Sequence, residues 1–193
     1  MEKPLNVVFI GVSGSGKGTQ VELLVGVLNL RQKTKIISSG DLFRDLQEHD
    51  TDTAHRVREI LQKGGLPYDD LATALWMHEI AYTVKEDEGI VFDGAPRRVQ
   101  EAKNIDSFFT FLDRLDMLRI LHLNASPEEV TRRLLKRGRV DDNEPAIAGR
   151  IAYFKEKVLP ATLYYQEQNR LIEINGEQSV EKVHKDIVKA LKL

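Results

Sequence analysis

The sequence predicts an α/β protein, a three-layer α/β/α sandwich around a five-stranded parallel sheet, carrying a small helical insertion and a short flap. Three observations lead there. Short β-type runs alternate with longer helical patterns along the whole chain. The first of these runs feeds a glycine-rich turn that opens directly into a helix-forming stretch. The length of 193 residues suits one domain with small excursions, and no repeat, low-complexity tract or linker interrupts it.

Taken in order, Leu5 to Ile10 reads as a buried strand that stops at Gly11, with a helix over about 17–31 after the turn. A second strand covers Lys35 to Ile37. Helices over about 41–48, 52–63 and 69–86 follow it, and the stretch from about 38 to 70 breaks the simple alternation as an insertion. Ile90 to Phe92 is the third strand, ending at Asp93-Gly94 and followed by a helix over 98–112. Leu118 to Leu123 is the fourth. The helix over 127–137 has a legible start, because Ser126-Pro127-Glu128-Glu129 supplies an N-cap, a proline in the first turn and a capping-box carboxylate. The polar segment Arg137 to Asn143 reads as a very short second flap, and a long helix over 144–168 should kink at Pro160, which has no N–H to give. Leu171 to Ile174 closes the set of strands, with a last helix over 179–191.

Composition narrows the function classes. Lys plus Arg number 28 against 30 Asp plus Glu, a net charge of -2, so there is no basic field to hold nucleic acid or an anionic membrane. No cysteine occurs, which excludes disulfides, iron–sulfur clusters, a thiol nucleophile and Cys-built zinc sites. No stretch approaches the roughly 18 apolar residues of a membrane span, so a cytoplasmic, unanchored protein is expected.

The strongest local signal is GVSGSGKGTQ, residues 11–20, where Gly11, Gly16 and Lys17 have P-loop spacing between strand and helix. Such a turn aims successive backbone N–H groups at a polyphosphate, the helix N-terminus adds its positive end, and Lys17 adds a mobile charge. Gly18 stands where Ser or Thr normally reaches magnesium, and Thr19 comes one residue later. Asp93, at the end of an apolar run, is placed to hold Mg²⁺ directly or through water. The five His residues are scattered and read as surface or structural, and Trp76 reads as a packing residue.

Together these segments resemble the adenylate kinase branch of the nucleoside monophosphate kinases, over nearly the whole chain. The likeness rests on the P-loop, on Ser38 to Arg44 (SSGDLFR), on Gly64 to Leu71 (GGLPYDDL), on DGAPRR from Asp93, and on RLLKRGRVDDN followed by Arg150. It implies reversible Mg²⁺-dependent transfer from ATP to AMP, giving two ADP, by a monomer without zinc. It also implies that Gly14, Ser15, Gly16, Lys17, Gly18 and Thr19 hold the ATP phosphates, with Arg133 over the ATP base and Gln178 beside it. Arg137, Arg139 and Arg150 would gather on the transferring group together with Lys17 and Arg97. Ser39, Arg44, Gly65, Leu66, Pro67, Gly94 and Arg97 would hold the monophosphate, Arg139 and Arg150 would reach it as well, and Glu101 would stand at the edge of its base. Phosphoryl transfer of this kind needs positioned cations and exclusion of water, and no general base.

Two departures from the family pattern matter. Only Gly138 separates Arg137 from Arg139, so the lid is very short; Asp141 and Asp142 remain to orient its arginines. Glu101 stands where the family usually has Gln, and an ionised Glu accepts hydrogen bonds without donating any. GMP and the pyrimidine monophosphates therefore stay open as acceptors, as does a nucleotide-binding protein without turnover.

Overall fold

A computed structural model describes residues 3–62, 67–138 and 142–193. Among these, the strands are β1 (Asn6–Ile10), β2 (Lys33–Ser38), β3 (Glu88–Asp93), β4 (Leu118–Asn124) and β5 (Leu171–Asn175). They form one sheet in the order β2-β3-β1-β4-β5, every pair parallel. The helices are α1 (Lys17–Leu28), α2 (Ser39–Gln47), α3 (Asp52–Gln62), α4 (Asp69–Thr83), α5 (Val99–Phe111), α6 (Pro127–Arg137), α7 (Glu144–Tyr153), α8 (Leu159–Glu167) and α9 (Val180–Leu191).

The layering follows from the two-residue period of β1, whose five residues are all buried. Val8 and Ile10 face a core built with Trp76 of α4, Ile105 and Phe109 of α5, and Tyr165 of α8. Val7 and Phe9 face the opposite core, with Val21, Leu24 and Leu28 of α1 and Val183, Ile187 and Leu191 of α9. The sheet is thus covered on both sides, as continuous apolar strands require. Trp76 is indeed a packing residue, set edge-on to Phe92 and Phe108 at 5.6 Å from each.

Side-chain caps mark several helix starts. Ser126 Oγ accepts from the Glu129 N–H at 3.3 Å with Pro127 opening α6, and Gly138 ends that helix in the left-handed region at φ 66°. Asn143 caps α7, Ser179 caps α9 and Ser38 caps α2. The kink expected at Pro160 takes a different form. Helix 144–168 is divided by a π-helical turn over Phe154–Val158, directly before the proline-containing first turn of α8. Helix α1 stops at Leu28, short of 31, and β2 is longer than expected at both ends.

Because all strands are parallel, their carboxyl ends share one edge, with β1 at its centre. Phe109 is fully buried in α5, away from that edge. Replacing it by Ala should lower unfolding free energy by about 3–5 kcal/mol, as read from the midpoint of a urea melt at constant m-value.

Candidate active site

The turn after β1 approaches its neighbours so closely at Gly11 and Gly14 that side chains are excluded there. A Cβ on Gly11 would lie 2.8 Å from both the Leu123 carbonyl oxygen and Ser15 Oγ, and one on Gly14, at φ 91°, would lie 2.9 Å from Leu134 Cγ. Gly16, at φ 101°, is the N-cap of α1. Val12, Val130, Leu134 and Ile147 form a small separate core that joins this turn to α6 and α7.

Lys17 folds back over the turn, its Nζ donating to the carbonyl oxygens of Gly11 at 2.6 Å and Val12 at 3.0 Å. Burial lowers its ammonium to about pKa 8; the Asp93 carboxylate opposes that shift and the Arg97 guanidinium adds to it. Asp93 ends β3 in register with Phe9 of β1 and Ser38 of β2. Gly94 follows at φ 85°, where an added Cβ would stand 3.8 Å from Arg97 Nη2 and 3.9 Å from Ser39 Oγ. Ser39, Gly94 and Arg97 are therefore together, and Arg97 Nε donates to the Gly94 carbonyl at 3.0 Å.

On the other side of the turn, the buried carboxylate of Asp142 gathers two arginines. Arg137 donates to both its oxygens at 2.8 Å, and Arg150 Nη1 donates to Oδ1 at 2.9 Å. Arg133 donates from Nη1 to the Ser15 carbonyl at 3.2 Å and from Nε to Glu129 at 2.6 Å. Glu129 is held down to about pKa 2, chiefly by its hydrogen bond to Arg132 and then by Arg133.

A pocket near the carboxyl end of β3 is lined by Phe43, Pro67, Tyr68, Arg97, Glu101 and Tyr153 among others. Glu101 is 6% exposed, and its Oε2 accepts the Arg97 backbone N–H at 2.6 Å. Arg44, on α2, is exposed and paired with Asp41. Gln178 turns its amide to the Asn175 carbonyl at 3.1 Å and to Asp186 at 2.9 Å. Gly18 and Thr19 are exposed on the first turn of α1. Gly65, Leu66, Arg139 and Asp141 lie outside the described residues.

The aromatic lining of this pocket was not anticipated from sequence. Phe43 and Tyr68 lie inside the quoted motifs, and Tyr153 stands three residues after Arg150 on one helix, which was the available signal. Glu129 could have been found from its i,i+4 spacing to Arg133.

The adenylate kinase family model matches residues 9–170. The chain belongs to the adenylate kinase family. Among its relatives, an adenylate kinase of Thermus thermophilus is 33% identical over 189 residues, covering 96% of each chain. An adenylate kinase of Oenococcus oeni is 32% identical over 178 residues, covering 91% of this chain and 92% of its own. Adenylate kinase 1 of Synechocystis is 32% identical over 186 residues, with 96% of each chain covered.

The Asp142 hub, which joins the end of α6 to α7, should matter to folding. Asp142→Ala leaves Arg137 and Arg150 without their shared acceptor. It should cost about 1–3 kcal/mol in a denaturant melt, since the two side chains are 34% and 27% exposed and partly screened.

Proposed function

We propose that this chain catalyses reversible, Mg²⁺-dependent transfer of the ATP γ-phosphoryl group to AMP, giving two ADP. The observation that carries the reading is the convergence at the end of β3. Asp93, at the end of that strand, and Arg97, from the acceptor pocket, both act electrostatically on Lys17 of the phosphate turn. In this reading the cations of two separate phosphate sites come together there, the arrangement that transfer between two phosphates needs.

In this reading the backbone of Gly14 to Thr19 and Lys17 hold the ATP phosphates, with Arg133 and Gln178 at the ATP base. Ser39, Arg44, Gly65, Leu66, Pro67, Gly94 and Arg97 hold the monophosphate, and Glu101 faces its base. Arg137, Arg139 and Arg150 collect on the equatorial oxygens as charge spreads over them, the planar guanidinium forks matching phosphate geometry. The attacking oxygen belongs to an already ionised phosphate, so no side chain has to remove a proton. Phe43, Tyr68 and Tyr153 give the acceptor pocket the apolar surface a base would cover.

Asp93 suits magnesium, being a hard carboxylate at a strand end beside the phosphate turn, and Mg²⁺ takes one or two carboxylates while keeping several waters. When bound, the ion neutralises phosphate charge. Thr19, exposed at the start of α1, is the nearest hydroxyl in sequence to the place Gly18 leaves empty of one. The protein is taken to act in the cytoplasm as a monomer with nucleotides as its partners.

A coupled assay with ATP and a panel of AMP, GMP, UMP and CMP tests the proposal, AMP being expected to give the highest kcat/KM. Absence of transfer to every monophosphate would sink it. Lys17→Ala should reduce kcat by at least about 100-fold while changing stability by less than about 1 kcal/mol. Since Lys17 loses its proton above about pH 8, kcat/KM for ATP should fall as pH rises through that value, and the fall is measured with AMP saturating.

A further inference from the structure

Glu101 combines three features. It is the third residue of α5 and is 6% exposed. Its Oε2 is committed as an acceptor to the Arg97 N–H at 2.6 Å, while its Oε1 is buried with no hydrogen-bond partner. It also lines the pocket that Phe43, Tyr68 and Tyr153 enclose and that the preceding reading assigns to the acceptor. A buried carboxyl with one idle oxygen at a binding pocket calls for a ligand group to pair with it.

The edge of adenine presents an amine donor beside a ring nitrogen that only accepts. An ionised carboxylate is acceptor-only, so it could take the amine but would set a lone pair against the ring nitrogen. A neutral carboxyl presents an acceptor beside a donor and complements both. Because the Arg97 N–H already marks Oε2 as the acceptor, the proton belongs on Oε1. We propose that Glu101 reads the acceptor adenine as a neutral carboxylic acid, so that AMP binding takes up one proton from solvent onto Oε1. This rests on AMP being the acceptor, as proposed above.

The groups facing Glu101 do not all push the same way. Burial raises its proton affinity, and the Arg97 N–H and charge, the Trp76 indole N–H from α4 and the Arg98 charge act against that. The indole N–H is itself buried without a partner, beside the carboxyl group but short of hydrogen-bond geometry. From α8, Tyr165 donates its hydroxyl to the Ala102 carbonyl at 3.2 Å and is kept neutral by burial. Asp70 lines the same pocket and accepts from the Tyr68 hydroxyl at 3.0 Å. These opposed influences leave the carboxyl able to change state when a ligand offers it an acceptor.

The test is the KM for AMP between pH 6 and 9 at saturating ATP, in the full-length wild type, Glu101→Gln and Trp76→Phe. The ionisation of the AMP phosphate and of Lys17 is common to all three, so the ratio of wild type to Glu101→Gln isolates residue 101. That ratio should rise about tenfold per pH unit above the point where the free carboxyl ionises. Trp76→Phe removes a donor that favours the carboxylate and should move the rise to higher pH, an effect that loss of packing alone would not produce. Calorimetric titration with AMP in two buffers of different ionisation heat should show close to one more proton taken up by the wild type than by Glu101→Gln. A ratio constant with pH, with equal proton counts and normal AMP turnover, overturns this inference and leaves the proposed reaction intact. A wild type that prefers GMP, and loses that preference in Glu101→Gln, overturns it in favour of an ionised Glu101. Failure to phosphorylate any monophosphate would instead remove the reading on which it rests.

Discussion

The close approach of the turn at residues 11–16 to β4 and α6 is the constraint on which the rest of the site depends. Only glycine can bring the backbone this near to the Leu123 carbonyl and to Leu134, and only glycine takes φ near 90–100° at positions 14 and 16 without strain. The contact ties the end of β1 to the helix that carries Arg133 and Arg137 and, through Ile147, to the helix that carries Arg150. A rigid sheet edge thereby sets the positions of side chains that are more than a hundred residues away in sequence. Bulk at Gly14 would act first on Leu134, and only through it on the arginines.

A second regularity is that the cations of the site are each held by groups of the protein itself. Lys17 rests on two carbonyls, Arg97 on the Gly94 carbonyl, Arg133 on Glu129 and the Ser15 carbonyl, and Arg137 with Arg150 on Asp142. At Asp142 the shared carboxylate brings two of these cations together and offsets their repulsion. For Lys17 the two carbonyls do not make up for the water lost on burial, and its pKa is lowered accordingly. Asp142 is different, because one buried carboxylate there accepts from two guanidinium groups at once.

Much of this was legible in the sequence, for identifiable reasons. The strand positions follow from apolar runs that have to be buried on both faces, and the start of α6 from Ser126 and Pro127, although the Glu129 carboxylate turns to Arg132 and Arg133 and the Ser126 N–H donates to Glu177 in place of a capping box. The P-loop carries its own signature because its glycines answer a steric demand that no other residue meets. What could not be read depends on tertiary placement. Nothing local tells that Gln178 would give its amide to Asp186 of α9, or that Asp142 would be buried beneath two arginines. Helix 144–168 has a proline that announces a disturbance, but whether a helix answers with a bend or with a π turn depends on the packing of Phe154 and Val158.

Glu101 shows where sequence and structure each contribute. As the third residue of a helix, a glutamate ordinarily reaches back to a backbone N–H at the start of its own helix and remains in water, which is its role in a capping box. Glu101 makes that kind of bond, to Arg97, but does so beneath Trp76 and beside a pocket. The amide expected at this position could satisfy the same N–H with its oxygen and would never carry a charge. A carboxyl preserves the shape and the cap and adds a proton equilibrium, which only burial makes consequential. The same substitution on an exposed helix would be almost silent, and it is the burial of Glu101 that gives it a low-dielectric setting in which charge and hydrogen-bond direction become coupled.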